Sequence, residues 1–135
     1  MPISSIYKKT ITIPQSVIDE NGHVNNVVYV QWMQDIAVEH YASIGGIEAQ
    51  GPDATWVVRE HKVEYLLPAF AGEEIEIRTW VENARRVRSL RKYEFVRKSD
   101  GRILVKGETD WVFVDAKSGV PLSIPANVTA VFKKL

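Results

Sequence analysis

The sequence predicts an α+β fold in which one antiparallel sheet of five or six strands wraps around one long central helix. Three observations support this prediction. Residues 27–44 carry apolar side chains at spacings of three and four, the period of a helix. The segments on either side alternate apolar and polar residues, as half-buried strands do. Tight-turn signals such as Ser99-Asp100-Gly101 join them, and short turns make neighbouring strands antiparallel.

The first half of the chain predicts a strand, a loop and the helix. Residues 6–14 alternate and are rich in Thr and Ile, which favours a strand. Residues 15–26 contain the Asn, Asp and Gly of a loop. Asn25 or Asn26 can cap the helix, and Gly45-Gly46 ends it. Its apolar side chains occupy most of the circumference, so we expect it to be buried.

The second half of the chain predicts an almost unbroken series of strands. They cover residues 55–67, 73–82, 87–98 and 103–115. Residues 128–132 form either a last short strand or a helical turn. Because such a sheet has two edges, we expect an oligomer, a homodimer or a homotetramer, that covers them.

Length and composition limit the class of protein. A chain of 135 residues, 45% hydrophobic and 25% charged, predicts one globular domain over residues 1–135. Its 17 basic and 17 acidic residues give a net charge of zero, which argues against nucleic acid or an anionic membrane as partner. The absence of cysteine excludes disulfides, thiolate metal sites and a cysteine nucleophile. With no signal-like start and no membrane-spanning stretch, a cytoplasmic location is expected.

One segment concentrates the chemistry of the chain. Asp19-Glu20-Asn21-Gly22-His23-Val24-Asn25-Asn26 places a carboxylate, an imidazole and three carboxamides directly before the helix. A helix N-terminus offers free backbone N–H groups and the positive end of the helix dipole. Such a segment can bind an oxyanion or position a nucleophile. Without further information, Asp19 is more typical of a turn residue than of a catalyst, and Asn25 and Asn26 are more typical of helix caps.

The same residues carry a resemblance to a known family. The pattern Asp19-x-Asn21-x-His23-x-Asn25-Asn26-x-x-Tyr29, followed by Trp32, resembles the active-site segment of hotdog-fold acyl thioesterases. It is closest to the 4-hydroxybenzoyl-CoA thioesterase-like group and to acyl carrier protein thioesterases. The similarity continues through Trp56-Val57-Val58-Arg59, Trp111-Val112-Phe113-Val114-Asp115 and Ile124-Pro125, and so covers most of the chain. It implies a hotdog domain that is at least a dimer and that hydrolyses thioesters of coenzyme A or of acyl carrier protein.

The resemblance also implies roles for particular residues. Asp19 would serve as nucleophile or general base, with Asn21 and His23 as catalytic partners. Val17 stands where the hydroxybenzoyl-type enzymes often carry an additional Asp, which weakens assignment to that aromatic-substrate group. His23 could instead only hydrogen-bond a loop carbonyl, and Asn21 could only shape the turn.

Thioester hydrolysis itself requires an activated water or a nucleophile and donors for the oxyanion. Asp19 can supply the first, and the backbone N–H groups of Asn26, Val27 and Val28 can supply the second. The thiolate is a good leaving group because free thiols have a pKa of about 8.5. The reaction therefore requires no metal and no organic cofactor, coenzyme A being part of the substrate.

Candidate substrate-binding residues fall into two groups. Tyr29 and Trp32 lie at helical spacing and either pack the core or line an acyl pocket. Arg85, Arg86 and Arg88 either form a solvated strand end or grip the phosphates of coenzyme A, which suit the guanidinium group. The other histidines, His40 and His61, are predicted to be structural or interfacial.

The sequence therefore predicts an acyl-CoA thioesterase of the cytoplasm. Two alternatives remain open at this stage: a thioesterase acting on acyl carrier protein, and a non-catalytic acyl-CoA-binding module on the same scaffold. A hotdog dehydratase is disfavoured, because the catalytic-type His with a following Pro/Gly-rich segment is missing.

Overall fold

A computed structural model describes residues 2–133 and confirms the predicted α+β architecture. Five antiparallel strands form one sheet in the order β1-β3-β4-β5-β2. The strands are β1 (Tyr7–Thr12), β2 (Ala54–Tyr65), β3 (Glu74–Arg85), β4 (Arg88–Arg97) and β5 (Ile103–Asp115). The helices are α1 (Asn26–Ser43), α2 (Gly46–Gln50) and α3 (Ala126–Phe132), with a single 3-10 turn at Gln15–Val17 in the predicted loop.

Helix α1 lies against one face of the sheet, within one residue of its predicted bounds. Its buried stripe recurs at spacings of three and four and consists of Tyr29, Met33, Ile36, Ala37 and His40. The opposite face differs from the expectation of a helix buried all round. Val27 is 74% exposed and Val38 is 59% exposed, because one sheet can cover only one side of a helix.

The strands show the alternation that the sequence predicts. In β3, the side chains of Ile75, Ile77, Thr79 and Val81 are buried towards the helix. Strand β5 has the predicted bounds, 103–115. Strand β2 contains a bulge at Arg59, which interrupts its register with β5. The bulge leaves Val57 exposed and breaks the simple alternation of this strand.

Two short helices complete one end of the structure. Gly45 ends α1 with a φ of 85°, and Gly46 then begins α2, which the sequence pattern did not indicate. A Cβ on Gly46 would lie 2.2 Å from the ring of Tyr41, so this junction requires glycine. Residues 128–132, left open between strand and helix, belong to α3. None of the helices within residues 2–133 is long and apolar enough to cross a membrane.

The sheet has two free edges. Among residues 2–133, strand β1 pairs only with β3, and β2 pairs only with β5. Strand β2 is long, and its Val57 and Tyr65 side chains are both exposed. A long edge strand with exposed apolar side chains is a surface on which another strand can pair.

Candidate active site

The segment that precedes α1 folds into a tight turn. The Asn21 N–H donates to Oδ1 of Asp19 at 2.9 Å, and the Gly22 N–H donates to the Asp19 carbonyl at 3.0 Å. The Asp19 N–H donates to the His23 carbonyl at 3.1 Å. Gly22 adopts a φ of 82°, a conformation that favours glycine. The turn is therefore formed by hydrogen bonds between residues only two to four positions apart.

The base of this turn is anchored to the core while its tip is exposed. Val24 is buried, and its N–H donates to the Ala69 carbonyl at 2.9 Å. The Asn25 N–H donates to the Val17 carbonyl at 3.0 Å. Asp19 and His23 are half-buried, and Asn21 is exposed. The anchored base fixes the position of both half-buried side chains relative to the start of α1.

Asn25, and not Asn26, is the residue that caps α1. Its Oδ1 accepts the Val27 N–H at 2.9 Å, and its carbonyl accepts the Val28 N–H at 3.0 Å. Two of the three backbone donors proposed for an oxyanion are thus already engaged. Within the described chain, the Asn26 N–H is the one without an intramolecular acceptor. It lies at the positive end of the helix dipole, where an anion is stabilised.

A cavity of about 310 Å³ opens beside this helix start. Its wall includes His23, Asn26, Tyr29 and Tyr65. The Tyr65 hydroxyl donates to the Asn26 carbonyl at 2.9 Å and so ties the end of β2 to the helix. The structure therefore brings His23, Asn26 and Tyr29 to one cavity, whereas Asp19 and Asn21 lie in the preceding turn and are not among the residues that line it.

The aromatic side chains of this cavity extend into the core. Tyr29 packs edge to face against Trp32 and Phe95, with ring centroids 5.5 and 5.1 Å apart. Burial, followed by the nearby Glu73 and Tyr65, raises the pKa of Tyr29 to about 12. Its hydroxyl therefore stays protonated at neutral pH and can donate a hydrogen bond to a ligand.

The sequence matches the profile of the Thioesterase-like superfamily over residues 13–132. The chain belongs to this superfamily. The prediction of a thioester hydrolase is thereby confirmed at the level of the family. No curated protein sequence matches the chain significantly.

Solved structures of other proteins share the hotdog fold of this superfamily member. Slr0204, a 1,4-dihydroxy-2-naphthoyl-CoA thioesterase from Synechocystis, is 15% identical with a TM-score of 0.84, over 97% of this chain and 98% of that one. A DHNA-CoA thioesterase from Staphylococcus aureus is 23% identical with a TM-score of 0.77, over 87% and 80% of the two chains. The protein SAV2348 from Staphylococcus aureus, solved in complex with CoA, is 16% identical with a TM-score of 0.85, over 95% and 82%. The predicted hotdog fold is confirmed.

The basic cluster of this thioesterase-like chain lies at the other end of the sheet. Arg85 ends β3, Arg86 occupies the turn with a φ of 55°, and Arg88 begins β4. All three are exposed, and the Nε of Arg88 donates to Oδ1 of Asp110 at 3.2 Å. Through the strand register, Arg88 lies level with Val57 of β2. Tyr65, beside the cavity, lies about 25 Å further along that strand. Within one chain, these arginines and the turn at Asp19 do not share a site.

A second polar group, centred on Arg91, lies inside the fold. Arg91 faces the helix and is 4% exposed. Its Nη1 donates to Nδ1 of His40 at 2.8 Å and to Oγ1 of Thr79 at 3.1 Å, and His40 stacks on Tyr7. The signal was present in the alternation of β4, where Arg91 occupies the same parity as the apolar Tyr93 and Phe95. The other histidine, His61, contacts Oγ1 of Thr109 at 2.8 Å, in keeping with a structural role.

Proposed function

We propose that this protein hydrolyses acyl-CoA thioesters at the cavity beside the start of α1. The observation that carries the proposal is the Asp19–His23 turn, which is anchored next to a helix end whose Asn26 N–H is free to donate a hydrogen bond to an oxyanion. Membership of the Thioesterase-like superfamily supports the reaction class. The presence of CoA in the similarly folded SAV2348 supports coenzyme A as the carrier.

Asp19 is the proposed general base or nucleophile. One carboxylate oxygen, Oδ1, is held by the Asn21 N–H, which fixes the orientation of the group. As a base, the carboxylate takes a proton from a water molecule while the water oxygen attacks the thioester carbon. As a nucleophile, it attacks that carbon directly and forms an anhydride that water then hydrolyses. In both cases the thiolate leaves and takes up a proton, giving a free acid and coenzyme A.

The Asn26 N–H is the proposed principal oxyanion donor. Val27 and Val28 contribute through the helix dipole, because their own N–H groups are bound by Asn25. A donor that is already oriented towards the developing charge typically contributes about 3 kcal/mol to lowering the barrier. His23 lies in the cavity wall, where its ring can orient the substrate or the water. Asn21 positions Asp19 through its backbone N–H, and Tyr29 lines the space for the acyl group, with Trp32 packed behind it.

The proposed oligomer is a homodimer in which the β2 edge strands of two subunits pair antiparallel. This is the simplest arrangement that covers the edge strand in both subunits. A tetramer would join two such dimers. Twofold symmetry places the same patch of both subunits in contact, and it reverses the direction of the partner's strand. The partner's Ala54 end then lies beside this chain's Tyr65, which touches the helix start. Because Arg88 lies level with Val57, the partner's arginine cluster comes to the cavity of this chain. There the guanidinium groups suit the phosphates of coenzyme A.

A thiol-release assay tests the function. Purified protein is offered short, medium, long and aromatic acyl-CoAs, and matched acyl groups on acyl carrier protein. We expect turnover with at least one acyl-CoA and a higher kcat/KM for it than for the same acyl group on acyl carrier protein. A strong preference for the carrier protein would replace coenzyme A in the proposal. Tight binding of acyl-CoA, measured by calorimetry, without any thiol release would identify a non-catalytic binding module.

A further inference from the structure

Arg91 is a buried cation without a counter-ion in the described part of the chain. Its two hydrogen-bond acceptors are His40 and the Thr79 hydroxyl, and neither carries a charge. His40 is neutral because burial and the charge of Arg91 lower its pKa to about 4. Burial lowers the pKa of Arg91 itself to about 10, so the guanidinium stays charged at neutral pH. A buried charge that is not paired is strongly unfavourable, which points to a missing anionic partner.

The free side of Arg91 has the geometry of a carboxylate receptor. The hydrogen bonds to His40 and Thr79 both use Nη1. No acceptor among residues 2–133 reaches the Nε and Nη2 atoms, which form the other edge of the planar group. Two parallel N–H donors on one edge are the arrangement that binds both oxygens of a carboxylate. The acceptor that this edge lacks is therefore a planar, bidentate anion.

Arg91 lines a separate cavity of about 190 Å³ between the second half of α1, α2 and the sheet. Aromatic side chains make up much of its wall, namely Tyr41, Trp56, Trp111 and Phe132. The indole N–H groups of Trp56 and Trp111 are buried and have no acceptor within hydrogen-bond geometry. They lie near the hydroxyls of Tyr41 and Tyr93; burial raises the pKa of both hydroxyls, and the neighbouring indoles only partly oppose that rise. The cavity therefore combines an apolar wall with the free donor edge of Arg91.

We propose that this cavity binds a small organic carboxylate, with the carboxylate on the Nε–Nη2 edge of Arg91 and the apolar body against Trp56 and Trp111. An apolar protein cavity of about 150 Å³ holds a benzene molecule, so this one admits a single ring or a short branched chain. The ligand compensates the charge of Arg91 and fills the space that the side chains leave.

Two sources can supply such a carboxylate. One is a free acid, bound as a product or regulator. The other is an acyl group that carries a second carboxylate at its far end, and this source rests on the proposed function. Met33 is fully buried against Gly107 and lies on α1 between Tyr29, which lines the first cavity, and Ala37, which lines the second about 12 Å further along the helix. Such an acyl group would therefore enter from the active site of a partner subunit.

Calorimetric titration of the full-length protein with benzoate and with benzamide tests the binding site. The two probes have the same shape, but only benzoate is an anion. We expect benzoate to bind at least tenfold more tightly than benzamide. Equal affinities, or no binding of benzoate at millimolar concentration, would overturn the proposal without the need for any variant.

Arg91→Met then locates the site, because Met keeps an unbranched apolar stem and removes the charged guanidinium. We expect it to weaken benzoate binding at least tenfold, and the exposed Arg102→Met to leave the binding unchanged. Undiminished benzoate binding by a folded Arg91→Met protein would refute the assignment to this cavity. Should Arg91→Met not fold, Arg91→Lys, which keeps the charge but loses the planar fork, is expected to bind benzoate more weakly than the wild type.

Kinetics with glutaryl-CoA and pentanoyl-CoA distinguish the two sources. The two acyl chains have the same length, but glutaryl ends in a carboxylate and pentanoyl ends in a methyl group. A tenfold fall in the glutaryl-to-pentanoyl ratio of kcat/KM in Arg91→Met supports the dicarboxylic substrate. An unchanged ratio together with lost benzoate binding supports the free acid. Absence of any acyl-CoA turnover would refute the proposed function, while the benzoate titration would still decide the present proposal.

Discussion

The two ends of α1 differ in how their polar groups are satisfied. At the start, the partners are close in sequence: Asp19 binds the N–H of Asn21, and Asn25 binds the N–H of Val27. In the second half, Arg91 draws His40 from the helix and Thr79 from another strand, and it still has unused donors. The first region is thus formed locally and is open to solvent at its tip. The second is formed only by tertiary packing, and its unused donors are those to which we assign the carboxylate ligand.

Because one region is formed locally and the other by tertiary packing, we expect substitutions in the two regions to have different effects. A locally formed turn can be altered at one side chain and keep its shape, so its variants report on chemistry. A buried network couples its members to the stability of the whole fold, so its variants report on stability and on ligand binding. The predictions below test this division, beginning with the largest effect.

The first prediction concerns Asp19→Asn, which keeps an oxygen for the Asn21 N–H but removes the basic carboxylate. We expect kcat on acyl-CoA to fall by about 10²- to 10⁴-fold, the usual contribution of a general base, with little change in the melting temperature. Asp115→Asn is the matched control. Its Oδ1 likewise accepts a backbone N–H two residues on, from Lys117 at 2.9 Å, at the end of β5. Unchanged turnover in Asp19→Asn would remove this residue from the mechanism.

The second prediction concerns the proposed assembly of the active site from two subunits. Asp19→Asn protein is mixed, through unfolding and refolding, with protein in which Arg85, Arg86 and Arg88 are all alanine. Random pairing makes half of the dimers mixed, and each mixed dimer has one intact site, so at a substrate concentration well below KM we expect about one quarter of the wild-type rate from the mixed dimers. If the mixture is no more active than the mean of the two unmixed variant proteins, the arginines do not act across the interface.

The third prediction concerns the stability contributed by His40. Its pKa is about 4 in the folded protein, lowered by burial and then by Arg91, against an ordinary value of 6.5. Between pH 6.5 and 4 the unfolded chain binds a proton that the folded one does not, so stability is complete above pH 6.5 and falls as the pH falls. At pH 5 the loss from this residue is about 2 kcal/mol.

Urea unfolding at pH 7 and pH 5 measures this loss. His40→Gln keeps an acceptor for Arg91 but cannot titrate, so the difference between the wild type and this variant isolates His40. The pKa of His61 is also lowered by burial, which adds a loss of the same sign to both proteins and cancels in the comparison. The same pH dependence in both proteins would contradict the assignment.

Much of the fold follows from the sequence because its signals are local. The periodicities of α1 and β3 and the glycines at residues 45 and 101 depend on neighbours along the chain, and the structure agrees with them. The bulge at Arg59 and the helix α2 did not follow, since both depend on packing against other elements. Arg91 was missed for a related reason. Its sequence neighbours are charged, and only the parity of its strand indicates that it faces inward.

The candidate active site could be predicted only in part. The turn at Asp19 and the cap at Asn25 or Asn26 were visible, because their partners lie within a few residues. The choice between the two asparagines depends on the backbone geometry at the first turn of the helix, which places the Asn25 side chain on the Val27 N–H. The distance between the turn and the arginines depends on the strand register, which the sequence does not state.

The fourth prediction tests the assignment of the cap. Asn25→Ala removes the acceptor of the Val27 N–H and is expected to lower the free energy of unfolding by about 1 kcal/mol. Asn26→Ala is expected to change it by less than about 0.5 kcal/mol, as for an ordinary exposed position. Chemical denaturation of both variants provides the comparison. A larger loss for Asn26→Ala would reverse the assignment and would remove the Asn26 N–H as the free donor.

The fifth prediction separates the members of the arginine cluster. The guanidinium of Arg88 is already paired with Asp110, whereas the Arg86 side chain has no ion-pair partner among the described residues. We therefore expect Arg86→Gln to raise KM for acyl-CoA about two- to fivefold, and Arg88→Gln to raise it less, with kcat unchanged in both. Because exposed charges are screened, the effect of Arg86→Gln should diminish between low and high salt. A KM that rises more in Arg88→Gln would show that Asp110 positions Arg88 for the phosphates, and a KM insensitive to both variants would remove the cluster from coenzyme A binding.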